Sequence, residues 1–295
     1  MTKSLTKSFG AAAMAAVVVT LASAPAGAAG DAHQAIERQQ WSFAGFAGHY
    51  DKDQLQRGFR VYQQICASCH GLKRLAFRNL AERGGPEFPE EAVKALAASW
   101  PNQITDGPND DGKMFQRPAK LSDPILGPYK NDNEARAAQN GALPPDLSLI
   151  TRARNVHHEA AWPLHVVLMT KDVFKGYQEG GSDYVYALLT GYKDKPENVK
   201  LADGMNYNTA FPGNQIAMPN MLDGGPVNYK EGQEKYDGPA PSLEQNAKDV
   251  TAFLAWAADP SLNERKRIGW QVMLYLLLTT ILLFIAKKRI WAKMH

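Results

Sequence analysis

The run Cys66-Ala67-Ser68-Cys69-His70 constrains this chain of 295 residues more than any other feature. Two thiols three residues apart can each add to one vinyl group of a porphyrin, and the following histidine then points at the iron from the same side. A zinc site would need two further ligands at close spacing, and the sequence has no other cysteine. A thioredoxin-like redox pair would need a βαβ setting, of which the sequence shows no sign. The motif therefore predicts one covalently attached haem c, with His70 as its proximal ligand.

Both ends of the chain carry apolar segments that indicate export and membrane anchoring. Residues 1–28 combine Lys3 and Lys7 with a short Ala-rich apolar run and two small-residue cleavage positions, which predicts a cleaved signal peptide. Residues 268–286 carry no charge and would span about 28 Å as a helix, close to the thickness of a hydrocarbon core. Basic residues and a tryptophan at each end favour a transmembrane anchor at 265–289 over a buried core helix.

These segments divide the chain into the signal peptide, an exported haem domain at 29–264, the anchor, and a cytoplasmic tail at 290–295. Residues 25–263 contain 24 Lys and Arg against 29 Asp and Glu, a net charge of −5, although the whole chain carries +3. Such a charge suits a basic protein partner better than nucleic acid, and ordinary solubility explains it equally well. The acidic stretches 87–91 and 106–111 could dock that partner, but solvated surface is the preferred interpretation.

The apolar periodicity predicts a mainly helical fold. In a helix at 53–69, capped by Asp51 or Asp53, the side chains of Leu55, Phe59 and Tyr62 share one buried face with both cysteines of the motif. Further helices are predicted at 90–99, at 132–139, at 182–190 with Ser182 as its cap, and at 243–258 with a Ser242/Gln245 capping box. The stretches 100–131 and 203–241 show no strand alternation and would pack on the haem as long ordered loops. The fold class is therefore mainly α, a c-type cytochrome head with long ordered loops packed on the haem, plus one C-terminal transmembrane helix.

Spacing alone does not identify the second axial ligand of such a haem. The candidates in the exported domain are five methionines and five histidines: Met114, Met169, Met205, Met218, Met221, His33, His49, His157, His158 and His165. The local sequence favours Met218, because Gln215-Ile216-Ala217-Met218-Pro219 is an apolar segment stiffened by proline; core filling is the alternative role for any single methionine. A His/Met pair would leave the iron no open position, which suits electron transfer and disfavours catalysis.

Several further segments resemble the cytochrome c1 family, the haem subunits of the cytochrome bc1 (quinol–cytochrome c oxidoreductase) complex. They are 63–71, 139–148, 152–154, 184–192, 216–219 and 248–260, followed by one membrane helix. The run Gly-Ala-Leu-Pro-Pro-Asp-Leu-Ser and the Trp-Ala-Ala-x-Pro join to the membrane helix are highly specific, because simpler cytochromes c lack them.

The resemblance implies a role for each matching position. Cys66 and Cys69 would form the thioether bonds, His70 the proximal bond and Met218 the distal bond. Arg154 would neutralise a haem propionate through paired, charge-assisted hydrogen bonds. The remaining implied positions wall or line the haem pocket: Pro144, Pro145, Tyr184, Leu188, Leu189 and Phe211.

The resemblance also implies a function and partners. Quinol oxidation in a neighbouring cytochrome b subunit would reduce a Rieske iron–sulfur protein, which would pass one electron to this haem and on to a soluble cytochrome c. The chain would be an electron-carrier subunit and not an enzyme on its own, in contact with membrane lipid and not with nucleic acid. Its location would be the bacterial inner membrane, single-pass, with the haem domain on the periplasmic side.

The sequence departs from the family pattern at two places, and other functions compete. Residues 155–180 form an insertion of the kind some bacterial members carry, and Pro219 is followed by Asn220 where members often have more prolines. A membrane-anchored cytochrome c of a terminal oxidase or nitric oxide reductase is disfavoured because 148 positions separate His70 from Met218. A haem enzyme or gas sensor would keep an open sixth position and bind carbon monoxide. A purely structural assembly subunit would tolerate loss of Met218.

Overall fold

The computed structural model describes residues 36–154, 180–223 and 238–292, together with residues 156, 164, 166–167, 169–170 and 227. The predicted signal peptide, most of the 155–180 insertion, the last three residues of the tail, and four of the candidate histidines lie outside the described residues. Those histidines are His33, His157, His158 and His165.

The described part of the chain is mainly helical with a few very short strands. The helices are α1 Lys52–Gln64, α2 Glu90–Ala98, α3 Asp132–Ala138, α4 Ile150–Ala153, α5 Gly180–Thr190, α6 Leu243–Ala258 and α7 Leu262–Trp291. The strands are β1 Leu72–Ala76, β2 Ile104–Asp106, β3 Phe115–Arg117, β4 Pro124–Ile125, β5 Asn206–Tyr207 and β6 Gln215–Ile216. They form three antiparallel two-stranded ribbons, which pair β1 with β4, β2 with β3, and β5 with β6.

The core of the head is the crossing of α1 over α6. A Cβ atom at Gly58 would lie 2.7 Å from Phe253 Cβ and closer still to the carbonyl of Asp249, so glycine lets the two helix backbones touch. Beside this crossing the ring of Phe253 packs at 5.5 Å from Phe59 and 5.6 Å from Trp256. Burial of these aromatic side chains supplies much of the stability of the head.

A buried ion pair fixes the same two helices in register. The carboxylate of Asp249, fully buried on α6, accepts from Arg57 Nε at 2.9 Å on α1. It also accepts from the side-chain amides of Gln54 at 3.1 Å and Gln245 at 2.8 Å. Because Arg57 and Gln54 on α1 both donate to this one buried group on α6, the angle between α1 and α6 is tightly specified.

The helix predictions are confirmed in place and type, with two corrections at their ends. Asp51 caps α1 by accepting from Gln54 N, and Ser242 caps α6 by accepting from Gln245 N. However, α1 ends at Gln64 and the cysteines lie in a separate 3-10 turn, so the prediction of one helix through Cys69 is wrong. Ser182 is not a cap, because α5 already begins at Gly180.

The predicted loops 100–131 and 203–241 are not wholly irregular, since each contains a strand ribbon of two or three residues per strand. Such short strands carry no detectable alternation of apolar residues, which is why the sequence does not reveal them. In the first of these ribbons the guanidinium of Arg117 forms ion pairs with the carboxylates of Asp106 and Asp123, each at 2.5 Å. The hydrogen bonds from Arg117 lower the pKa of both carboxylates.

Helix α7 leaves the head as a 30-residue apolar rod, and none of its residues is buried. Its length and composition suit a membrane span, and its exposure excludes the buried core helix. At its start, the ammonium of Lys266 donates to the carbonyls of Phe43, Gly45 and Gly48 at 2.8, 2.6 and 2.9 Å. These three bonds tie the helix to the head.

Candidate haem site

One cleft of about 430 Å³ gathers all eleven residues that the sequence analysis assigns to the haem. Its walls come from the end of α1, the turn that follows, the loop before α4, helices α5 and α6, and the segment after β6. Most of its lining is apolar. A cleft of this size lies in the range of cofactor pockets.

The turn that carries the motif is built on one carbonyl. The oxygen of Cys66 accepts from Cys69 N at 3.1 Å and from His70 N at 2.9 Å, which tightens the chain into a 3-10 turn just after α1. Both cysteines are half-buried at the cleft. Burial, and next the neighbouring Cys69, raise the pKa of the Cys66 thiol to about 12.

The ring of His70 is oriented by a backbone carbonyl. Its Nδ1 lies 2.7 Å from the oxygen of Pro145, which can only accept, so Nδ1 carries the proton and Nε2 keeps its lone pair. Burial lowers the pKa of His70, opposed by the Pro145 hydrogen bond. The neutral ring with a free Nε2 is the form that binds a metal, and a second partner on Nδ1 is typical of such ligands.

The loop that contains Pro145 is held by hydrogen bonds to the residues just after the motif. Leu147 N donates to Gly71 O at 2.9 Å, and Lys73 N donates to the carboxylate of Asp146 at 2.8 Å. Gly71 also crosses a second backbone, since a Cβ there would lie 2.6 Å from Gly127 N. The segment Pro144-Pro145-Asp146-Leu147-Ser148 therefore has a structural purpose, which is to hold the imidazole of His70.

Met218 is held in place by hydrogen bonds to its backbone carbonyl. That oxygen accepts from Tyr192 OH at 3.0 Å and from Asn206 Nδ2 at 3.3 Å. Burial raises the pKa of Tyr192, so its hydroxyl is a donor at all ordinary pH values. The β5–β6 ribbon, in which Asn206 pairs with Ile216, supports the same segment from one side.

The residues that line the cleft reduce the number of candidates for the second axial ligand. Met218 and Met221 both line it, whereas Met114 and Met169 are about 60 and 58 % exposed and are not among its lining residues. Among the described residues that line it, His70 is the one histidine. Two methionines therefore face the cleft: Met218, which the local sequence favours, and Met221, which remained among the alternatives.

Arg154 and Tyr184 form a polar part of the rim. Arg154 follows α4 directly, and in the part of the chain that the structure describes no carboxylate forms an ion pair with it. Burial raises the pKa of Tyr184, and the charge of Arg154 opposes that shift. A guanidinium beside an apolar cleft with two thiols, an imidazole and a thioether fits an amphipathic porphyrin with acidic side arms.

Sequence reasoning missed several residues of the site. Val250 and Leu254 on α6 line the cleft, and both belong to the buried apolar stripe of that helix. Tyr62 OH donates to His70 O at 3.1 Å, and Tyr192 and Asn206 support Met218. The stripe was a usable signal for the two apolar residues. No sequence pattern marks these hydrogen bonds, which span 8 positions from Tyr62, 26 from Tyr192 and 12 from Asn206.

Comparison with known proteins agrees with this geometry. Residues 41–294 match the model of the Cytochrome C1 family. Cytochrome c1 of Blastochloris viridis is 45% identical, over 94% of this chain and 93% of its own length, and cytochrome c1 of Rhodospirillum rubrum is 36% identical over 95 and 96%. A Bradyrhizobium diazoefficiens protein named cytochrome b/c1 is 46% identical over 87% of this chain, which spans only 35% of that relative's length. This chain therefore belongs to the cytochrome c1 family, the haem-bearing electron-transfer subunits of the cytochrome bc1 complex.

Proposed function

We propose that this chain relays one electron from a Rieske iron–sulfur protein to a soluble cytochrome c within a cytochrome bc1 complex. By itself it carries electrons and catalyses no reaction. The observation that carries the proposal is the apolar cleft that is lined both by the turn of Cys66, Cys69 and His70 and by the segment of Met218. An apolar surround disfavours water and small polar substrates, and favours a bound cofactor.

In this proposal the residues of the cleft hold one haem c. Cys66 and Cys69 would attach it through thioether bonds, and His70 through Nε2 and Met218 through its thioether sulfur would bind the iron. A haem iron with His and Met ligands supplies a one-electron ferric/ferrous couple of raised potential. The Pro145 carbonyl keeps the imidazole in its binding tautomer, and the bonds from Tyr192 and Asn206 keep the thioether segment in place.

The rim residues have supporting roles in the same proposal. Arg154 neutralises a propionate, because it lies at the edge of the cleft and forms no ion pair with a described carboxylate. The apolar walls exclude water from the cofactor, and they are formed by Pro144, Pro145, Tyr184, Leu188, Leu189 and Phe211.

The proposed location is the bacterial inner membrane, with residues 29–264 on the periplasmic side and the signal peptide 1–28 removed. Helix α7 supports a single-pass anchor at 265–289, since it is long, apolar and wholly unburied. Lys287, Lys288 and Arg289 at its end support a cytoplasmic tail, because basic residues collect on that side.

A cytochrome b subunit is the proposed neighbour of α7. The Bradyrhizobium relative is named cytochrome b/c1, and the matching region is only about a third of it. A single polypeptide that bears both names supports close association of the two parts. Quinol oxidation in cytochrome b would then deliver the electron to the Rieske protein, and from there to this chain.

The relay is tested by following two absorbance bands at once. Membranes that contain the whole complex are reduced with quinol and mixed in a stopped-flow instrument with ferric soluble cytochrome c. We expect the band of this chain to be oxidised at the rate at which the soluble cytochrome is reduced, and Met218→Leu to slow both while Met221→Leu slows neither. Normal cytochrome c reduction in Met218→Leu would contradict the relay and support a structural subunit.

The attachment of the cofactor has its own test. Acid–acetone extraction removes haem that is bound without covalent bonds. We expect the wild-type chain to keep one haem per polypeptide by pyridine haemochrome, and the Cys66→Ala/Cys69→Ala double variant to lose it. Haem extracted from the wild type would contradict covalent binding.

A further inference from the structure

Asn208 is a buried asparagine that lies beside the haem cleft without lining it. It directly follows β5 and is fully buried, and it is not one of the residues that line the cleft. Two of the residues that its side chain bonds do line the cleft: Leu188 near the end of α5, and Phe211 in the segment that leads to Met218. Asn208 therefore connects two walls of the site.

The amide nitrogen of Asn208 bonds the end of α5. Its Nδ2 donates to Leu188 O at 2.8 Å, and this carbonyl is one of the last four of the helix, which lack a partner within the helix. The two parts of the chain approach closely here, because a Cβ at Gly191 would lie 2.9 Å from Thr209 Oγ1 and 3.1 Å from Asn208 Oδ1. Glycine at position 191 therefore lets the asparagine reach the end of the helix.

The amide oxygen of Asn208 organises the chain that leads to Met218. Its Oδ1 accepts from Ala210 N at 2.9 Å and from Phe211 N at 3.2 Å, which closes a turn on the side chain. The backbone of Asn208 holds the far end of this turn, since its N donates to Asn214 O at 3.1 Å and its O accepts from Asn214 Nδ2 at 3.0 Å. Strand β6 begins at the next residue and leads into Met218. Asn208 therefore sets where this segment starts.

We propose that Asn208 is a positioning residue of the haem site, which fixes the Met218 segment relative to α5. It acts through the backbone that joins Phe211 to Met218, and not by contact with the cleft. Because one amide gives a donor to one wall and an acceptor to the other, its loss would let the two walls move apart, and Met218 would leave the iron more readily. This inference rests on the proposed function, in which Met218 is the distal ligand.

A purely structural role is the competing explanation, because loss of any buried, bonded amide destabilises a fold. Asn246 on α6 provides the comparison, since it is equally buried. In the amide orientation that satisfies its neighbours, it donates to Ser242 O at 2.6 Å and accepts from Val227 N at 3.0 Å. Neither Asn246 nor these partners line the haem cleft. Loss of this amide should therefore destabilise the head without any effect on the position of Met218.

The test uses the full-length haem-bearing chain in mild detergent, reduced with dithionite and titrated with carbon monoxide as the probe of the iron. Asn208→Leu keeps the bulk of the side chain and removes both of its polar ends. We expect it to lower the apparent dissociation constant of carbon monoxide at least about fivefold, as loss of one hydrogen bond would, and to lower the midpoint potential. Asn246→Leu should lower the melting temperature as Asn208→Leu does, and change neither the dissociation constant nor the potential.

Two further variants isolate the effect on Met218. Gly191→Ala keeps every group of Asn208 but places a methyl group 3.1 Å from its Oδ1, so it should shift the dissociation constant and the potential in the same directions. It decides the question alone if Asn208→Leu does not fold. In the Met218→Leu background, by contrast, Asn208→Leu should have no further effect on carbon monoxide binding, because no thioether is left to position.

The outcomes separate this inference from the proposed function. Wild-type carbon monoxide affinity and potential in Asn208→Leu would overturn the inference and leave Asn208 as a structural residue. So would an equal gain in affinity in Asn246→Leu, or a further gain when Asn208→Leu is added to Met218→Leu. If the wild type itself bound carbon monoxide as tightly as Met218→Leu, the distal ligand would be refuted, and the proposed function and this inference with it.

Discussion

Removal of the Tyr192 hydroxyl should loosen the Met218 segment by a calculable amount. Tyr192→Phe deletes the 3.0 Å bond to Met218 O and leaves the longer 3.3 Å bond from Asn206. One such bond contributes about 1 kcal/mol to stability. If Met218 closes the iron, the fraction of protein with an open sixth position should rise about fivefold, because 1.4 kcal/mol corresponds to a factor of ten.

The assay is a carbon monoxide titration of the dithionite-reduced full chain, followed by its visible spectrum. Apparent affinity scales with the fraction of open protein, so the apparent dissociation constant of Tyr192→Phe should be about fivefold lower than that of the wild type. Tyr207→Phe is the matched control, because Tyr207 lies in the same β5–β6 ribbon and no bond from its hydroxyl to Met218 is described. An unchanged constant in Tyr192→Phe, or an equal change in both variants, would refute the reasoning.

Three predictions concern the stability of the head. Gly58→Ala should lower the free energy of unfolding by about 2 kcal/mol, because its Cβ overpacks the helix crossing, and thermal denaturation followed by circular dichroism measures this. A soluble head that ends after Arg267 should melt about 5 °C above one that ends after Asn263, because only the longer head keeps the Lys266 bonds; equal melting temperatures would contradict this. Burial alone would raise the pKa of Asp259, but its bonds to Arg265 outweigh burial, and the net effect is a lowered pKa. The carboxylate should therefore stabilise the longer head fully above about pH 4 and lose this effect in more acidic solution. Urea denaturation at several pH values measures this.

The sequence predicts those parts of the fold that repeat along the chain. α6 follows from its apolar stripe and from Ser242, and α7 follows from an uncharged run long enough for a bilayer. The end of α1 is different, because the stripe continues through Cys66 while the chain tightens to place two amides on one carbonyl. Periodicity cannot detect that change, since a 3-10 turn keeps the same residues near one side.

The residues of the haem site likewise divide into those that the sequence predicts and those that it does not. The motif identifies Cys66, Cys69 and His70 because its residues are adjacent in sequence, and all eleven predicted positions meet in one cleft. The contact of Tyr192 with Met218 spans 26 positions, and that of His70 with Pro145 spans 75. Such contacts depend on the folded arrangement of loops, and the residues that make them have no local signature.

The central claim is that His70 and Met218 together leave the iron no open coordination position. One set of spectra tests it most directly. Reduced wild type, Met218→Leu and Met221→Leu are each recorded with and without carbon monoxide, and their midpoint potentials are measured. The account predicts that the wild type and Met221→Leu bind carbon monoxide only weakly, whereas Met218→Leu binds it tightly and has a lower potential. Carbon monoxide binding as tight in the wild type as in Met218→Leu would mean an open sixth position, and tight binding by Met221→Leu in place of Met218→Leu would assign the ligand to Met221.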